Sequence, residues 1–235
     1  MSALRFPFAR GDASGAAGTS GGNFSGFDHI VSAIAENGYV VLDEALPRAL
    51  TEKLFVYFTS LDRDSFREAG IGRDDAYQLN RFQRRDRIYW LRSDTAELQG
   101  YFAWVEQLRQ CINRRLFLGL FDYECHYACY PEGGFYKKHV DAFRGRSNRR
   151  LSTILYLNPQ WQPDDGGELA LYREGDEKAF LQVLPEFGRM VIFLSEDFPH
   201  EVLKARRSRF SLTGWYRVNG TTSDVLDPPL MVIED

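Results

Sequence analysis

Cysteine is scarce in this chain. Three residues in 235 is an odd number, so no disulfide framework that pairs every thiol is implied. Free thiols fit a reducing compartment, and the expected location is the cytoplasm. Positive charge is not in excess either: 29 Lys and Arg against 33 Asp and Glu leave a formal net charge of -4. That balance argues against a nucleic-acid partner, in spite of local clusters such as Arg84, Arg85 and Arg87. The N-terminus has no continuous apolar run of the secretory or membrane type, so no membrane partner is expected. Internal repeats are absent, and biased composition is confined to "MSALRFPFARGDASGAAGTSGGNFSG", which holds six of the twenty glycines.

Core-forming residues are abundant. Hydrophobic residues make up 44% and aromatics 14%, enough for one domain that folds alone, expected as a monomer. Residues 1–26 read as a flexible leader, the alternative being an arm anchored by Phe6 and Phe8. Residues 27–235 then form one domain: helical support over about 27–120, a β core over about 121–220 and a tail over 221–235.

Within the helical part, Phe27, Ile30, Val31 and Ile34 recur at the spacing of one helix face, with Ser25 and Asp28 placed as a capping box and Asn37-Gly38 as a stop. Tyr39 to Leu42 reads as a short strand. Pro47 opens a second helix through Leu50, Leu54, Phe58 and Leu61, and Thr95 caps a third through Leu98, Phe102, Val105 and Ile112. The intervening "RRDRIYWL" reads as loop and strand. From Tyr123 onward, β-branched and aromatic runs alternate with turn sequences such as "PEGG" and "NPQWQPDDGG". Helices first and strands after give an α+β chain whose helices support one face of a sandwich or barrel.

The chemistry-bearing residues lie in the β part. "GFYKKHVDAFRGR" carries His139 and Asp141, which share a strand face because successive side chains alternate. They could be two ligands on one metal or a hydrogen-bonded surface pair. Two imidazoles and a carboxylate would make the facial triad of non-haem Fe(II) oxygenases, which leaves three coordination positions open. Four histidines are available: His29 in the first helix, His126 in the first core strand, His139 and His200. His200, in "EDFPHEVLKA", is the best third ligand, since Pro199 fixes the approach and a strand follows. In "SRFSLTGWYRV", Arg209, Ser211, Thr213 and Trp215 share one face. An arginine there could hold the far end of a dicarboxylate through its planar fork, which a lysine could not.

From "YACYPEGGFYKKHVD" through "LSTILYLNPQW", "GGELALY" and "FPHEV" to "SRFSLTGWY", the chain resembles the Fe(II)- and 2-oxoglutarate-dependent dioxygenases. Within them it is similar to the oxygen-sensing prolyl 4-hydroxylases and their bacterial relatives. The resemblance covers roughly residues 83–217. It implies a double-stranded β-helix (a jelly-roll, cupin-like core) with supporting helices. It also implies Fe(II) on His139, Asp141 and His200, 2-oxoglutarate held at Arg209, dioxygen as cosubstrate and ascorbate as a supporting reductant. Tyr156 and Thr213 match positions lining the far-carboxylate pocket, Tyr130 one near the coordinating end, and Trp215 a tryptophan beside the metal. Arg84, Asp86 and Trp90, in the segment that resembles the family's active-site cover, are expected on the substrate side. The implied substrate is a proline in another protein, with a translation factor as first candidate.

Other readings accompany this one. They are hydroxylation of free proline or another small molecule, a jelly-roll binding module without catalysis, and a zinc or manganese cupin. Cys125, His126 and Cys129 do not make a zinc set, because the two thiols share one strand face and the imidazole takes the other. The basic groups Arg144, Arg146, Arg149, Arg150 and Lys204, Arg206, Arg207 are solvated loops or a landing site for an acidic partner.

Overall fold

The computed structural model describes residues 24–69, 82–142 and 148–220. The expected leader, apart from its last three residues, and the tail over 221–235 lie outside the described residues, as do Arg144 and Arg146.

Helix α1 (Asp28–Asn37) buries Ile30, Val31 and Ile34, and Gly38 ends it. Its start differs from the expected capping box. A 3-10 turn (Phe24–Phe27) leads in, Phe27 occupies the cap position without a side-chain bond, and the Asp28 carboxylate pairs with Arg115 instead. Strand β1 (Tyr39–Leu42) follows as expected, and Pro47 opens α2 (Arg48–Ser60). The third helix begins later than Thr95: that residue caps a short 3-10 turn (Ala96–Leu98), and α3 runs Gln99–Leu116.

The remaining strands are β2 (Arg67–Glu68), β3 (Arg87–Trp90), β4 (Leu120–Tyr130), β5 (Tyr136–His139), β6 (Arg149–Tyr156), β7 (Leu169–Leu171), β8 (Leu181–Val183), β9 (Met190–Leu194), β10 (His200–Val202) and β11 (Arg209–Val218). They form a seven-stranded sheet, β1-β9-β6-β11-β4-β3-β2, and a four-stranded sheet, β5-β10-β7-β8, with antiparallel pairing throughout. Two facing antiparallel sheets backed by helices are the arrangement expected of a jelly roll with helical support.

The helical part and the strand part are not separate layers. Strands β1, β2 and β3 all come from the first hundred residues, yet all three join the large sheet. The physical reason is edge protection: β1 covers β9, while β3 extends the sheet beyond β4, so the long central strands have no open flank.

Alternation along each central strand divides the residues between two cores. Tyr123, Cys125 and Tyr127 of β4, with Leu212 and Tyr216 of β11, pack against the helices. Ala128 and Tyr130 of β4, with Ile154 and Tyr156 of β6, face the small sheet's Leu169, Leu171, Val183 and Val202. Sheet tyrosines tie the helices down by their hydroxyls: Tyr127 Oη donates to the Leu54 carbonyl (3.0 Å) and Tyr216 Oη to that of Val105 (2.8 Å). Among the described residues, no helix is long and apolar enough to cross a membrane.

Candidate active site

A cavity opens between the two sheets. Its wall includes His139, Asp141 and His200 at one end, and Arg209, Ser211 and Thr213 along β11. His139 ends β5 and His200 begins β10, and the two residues stand opposite each other in the antiparallel register. Strand pairing thus brings together histidines 61 positions apart. Asp141 follows β5 and reaches toward the large sheet, where Ser152 Oγ and Trp215 Nε1 donate to its Oδ2 at 2.6 and 2.9 Å. Ser152 is itself 2.9 Å from Ser195 Oγ.

These contacts fix which nitrogen of each ring is tied to the main chain. His139 Nδ1 lies 2.7 Å from the Lys137 carbonyl and His200 Nδ1 3.0 Å from that of Phe198. A carbonyl can only accept, so Nδ1 carries a proton in each ring, and Nε2 is the nitrogen left for a ligand. Both Nε2 atoms turn toward the same carboxylate, at 3.6 Å from Asp141 Oδ1 and 3.7 Å from Oδ2. Burial pushes His200 down to about 4, helped by His139 and opposed by Asp141, which leaves a neutral imidazole. For Asp141 burial acts upward, but His200, His139 and the Ser152 hydroxyl outweigh it and hold the carboxyl well below its usual range. The neutral imidazole of His200 and the ionised carboxylate of Asp141 are in the forms that bind a metal. All three donors lie within 4.8 Å of one another, and two donors on one ion can span about 4 Å.

Farther in, Arg209 is almost wholly buried between the rings of Tyr130 and Tyr156, 5.1 and 5.0 Å from their centroids. Its Nε donates to the Gly167 carbonyl at 2.8 Å. Gly167 has φ +71°, and a Cβ there would meet Ala205 Cβ at 2.9 Å and Arg209 Cδ at 3.2 Å, so glycine leaves room for the arginine. Arg209 Nη2 and Tyr156 Oη, both buried, have no hydrogen-bond partner. Burial raises the Tyr156 phenol to about 12 against the opposing guanidinium, so it stays protonated and able to donate. Two convergent donors lacking an acceptor, one of them cationic, match a carboxylate.

The substrate-side candidates divide. Arg84 lines the cavity, sits 4.3 Å from the Tyr136 ring centroid and forks onto Asp86 at 2.7 and 2.6 Å. Burial would discharge this arginine, but Asp86 holds it charged. Trp90 stands at the edge with half its surface exposed, beside His126. The segment expected to cover the site is stitched into both sheets. Strand β3 pairs with β4, while Arg85 N donates to the Phe135 carbonyl and Lys137 N to that of Gln83.

Residues 125–217 match the 2OG-Fe(II) oxygenase superfamily. The structure superimposes with a TM-score of 0.73 on a prolyl-4-hydroxylase from Pseudomonas putida, 38% identical, covering 82% of this chain and 98% of that one. The chain belongs to the 2OG-Fe(II) oxygenase superfamily.

A second superfamily structure, a prolyl hydroxylase from Trichoplax adhaerens in complex with a hypoxia-inducible-factor oxygen degradation domain peptide fragment, is 29% identical with a TM-score of 0.70, over 83% of this chain and 90% of that one. The hypoxia-inducible factor prolyl hydroxylase of Caenorhabditis elegans is 28% identical over 212 residues. That match takes in 80% of this chain but 28% of the relative, so the chain spans little more than a quarter of that curated protein's length. The superfamily uses Fe(II), 2-oxoglutarate and dioxygen, and His139, Asp141 and His200 could hold the iron.

Sequence reasoning missed several residues at or beside the site. Ser152 was findable, because it shares a strand face with Ile154 and Tyr156, whereas Ser195 has no local signature. Arg149, read as a loop charge, instead pairs with Glu124 at 2.7 Å and lies 3.6 Å over the Trp215 ring at the cavity wall. Arg150 pairs with Glu196, and Arg207 donates to the Pro159 carbonyl, so these members of the basic groups are engaged within the chain. Cys125 and Cys129 share one face of β4, as expected, and it is the helix side; His126, on the other face, is a wall residue of the cavity.

Proposed function

We propose that this chain is an Fe(II)- and 2-oxoglutarate-dependent dioxygenase that 4-hydroxylates a prolyl residue in a protein, with succinate and carbon dioxide as coproducts. One observation carries the reading: a three-donor metal set at one end of the cavity and an unpartnered Arg209–Tyr156 pair farther in. Such an arrangement suits a dicarboxylate with one end at the metal donors and the other at the Arg209–Tyr156 pair.

His139, Asp141 and His200 hold the iron. Arg209 and Tyr156 take the distal carboxylate of 2-oxoglutarate, Tyr130 and Thr213 line its path, and Trp215 and Ser152 orient Asp141. The bound iron and cosubstrate supply oxidative decarboxylation and transfer of one oxygen atom to a C–H bond. The chain's residues fix the geometry and keep the cavity dry, which protects a reactive centre from water and from the protein itself. Arg84, in the cavity wall and locked there by the buried Asp86, shapes the entrance with Trp90 at its edge.

The prolyl substrate is supported by the two prolyl hydroxylases whose folds coincide with this one at 38% and 29% identity. The test is incubation with Fe(II), 2-oxoglutarate, ascorbate and oxygen alongside candidate proteins, a translation factor first, and free amino acids. Mass spectrometry should find one added oxygen on a prolyl residue of a protein. Oxygen added only to free proline would overturn the protein substrate, and failure to bind or turn over 2-oxoglutarate would overturn the enzyme.

A further inference from the structure

Three histidines line the cavity, and the third is held differently from the other two. His139 and His200 are each anchored at Nδ1 by a main-chain carbonyl. His126 is 4% exposed, and its Nδ1 is buried without a partner. Aromatic rings hold it instead: Trp90 at 4.9 Å and 73° on the β3 side, Trp215 at 5.3 Å and 46° on the β11 side. In register it stands between Trp90 and Thr213. A buried polar atom without a partner costs stability, and an apolar side chain of similar size would avoid that cost.

The neighbouring charges do not supply the missing partner. Arg84 is forked onto Asp86, and Arg149 is bonded to Glu124. Burial, with both arginines nearby and Asp141 opposing, holds His126 well below the ordinary imidazole range, so the ring is neutral, with one N–H to give.

We infer that His126 is a specificity residue whose imidazole N–H donates to a main-chain carbonyl oxygen of a prolyl peptide. The inference rests on the prolyl reading given above. A prolyl residue has no main-chain N–H, so the polar atoms beside its ring are carbonyl oxygens, which only accept. A wall that recognises this unit needs a donor and apolar surface for the pyrrolidine. His126 supplies the first, and the flanking indoles of Trp90 and Trp215 supply the second.

The test is calorimetric titration of an acetylated, amidated pentapeptide with a central proline into protein loaded with Mn(II) and 2-oxoglutarate under anaerobic conditions. Wild type, His126→Leu and His126→Asn are compared, the asparagine keeping an N–H donor near the Nδ1 position. The leucine variant should bind the peptide about tenfold more weakly, the size of one buried hydrogen bond, and the asparagine variant should recover to within about threefold of wild type. Affinity for 2-oxoglutarate should stay unchanged in all three. Wild-type affinity in a folded His126→Leu protein, or equal losses in both variants, would overturn the inference. Failure of the underlying reading has a different signature: wild type binds no prolyl peptide yet turns over 2-oxoglutarate with a small molecule, and the His126 inference falls with it.

Discussion

The two faces of the seven-stranded sheet are built from alternate residues of the same strands, yet they treat polar atoms in opposite ways. On the helix face, hydroxyls satisfy one another: Tyr101 Oη lies 2.7 Å from Tyr123 Oη, which lies 2.6 Å from Thr153 Oγ1. On the cavity face, Arg209 Nη2, Tyr156 Oη and His126 Nδ1 have no partner, and they are three of the four such buried atoms among the described residues. The fourth, Thr51 Oγ1, belongs to α2. One face is complete without a ligand and serves stability. The other keeps polar atoms that cost stability unless something from outside bonds to them.

The sharpest way to break that contrast is on the cavity side. His139→Ala removes one of three donors while leaving the helix face untouched. Affinity for Fe(II) or Mn(II), measured anaerobically by calorimetry, should fall by more than the roughly 10- to 100-fold typical of losing an outer-shell partner, and turnover should vanish with it. Thermal unfolding of the metal-free protein should barely move. Metal affinity that survives would mean His139 is not a ligand.

The helix face answers to a steric change instead. At Gly214 a Cβ would lie 2.1 Å from Tyr123 Oη and 2.8 Å from Cys125 Cβ, in a wall already filled. Gly214→Ala should therefore cost about 3 kcal/mol in denaturant unfolding, at the upper end of ordinary overpacking. Combining it with Tyr123→Phe should recover only part of the loss, because Tyr123 Cζ would still sit 2.4 Å away. A neutral Gly214→Ala would show that this face is looser than its packing implies.

Arg209→Lys probes the unpartnered pair. Lysine keeps the charge but loses the fork, so 2-oxoglutarate affinity should fall by the equivalent of one charge-assisted hydrogen bond, about 1.5–3 kcal/mol. Metal affinity should hold, since the change lies away from the three donors. An unchanged 2-oxoglutarate affinity would remove Arg209 from the cosubstrate site.

The same contrast explains what could be read from the sequence. Alternation is local, so the face shared by Arg209, Ser211, Thr213 and Trp215 was legible, as was the separation of His126 from Cys125 and Cys129. Which face becomes the cavity depends on pairings that no local pattern encodes: β11 lies between β4 and β6, and the small sheet closes over one side of them. That is why His126 read only as a strand residue that completes no zinc set, and Arg149 as a loop charge. The triad was legible through the family's motif, while Ser195, which braces Ser152 against Asp141, reaches the site only through the β6–β9 pairing.

The smallest effect tests whether the two faces are independent at all. Ser152 and Thr153 are neighbours on β6, one bonded to Asp141 on the cavity side and the other ending the tyrosine chain on the helix side. Tyr123→Phe leaves the buried Tyr101 hydroxyl without its partner, while Thr153 keeps a 3.3 Å bond to the Gly214 carbonyl, so the cost should be about 1 kcal/mol. Tyr101→Phe should cost less, because Tyr123 retains Thr153. If the faces act separately, both changes lower the unfolding free energy and leave metal affinity alone. A fall in metal affinity in Tyr123→Phe would show that the hydroxyl chain holds β6, and through Ser152 the carboxylate, in place.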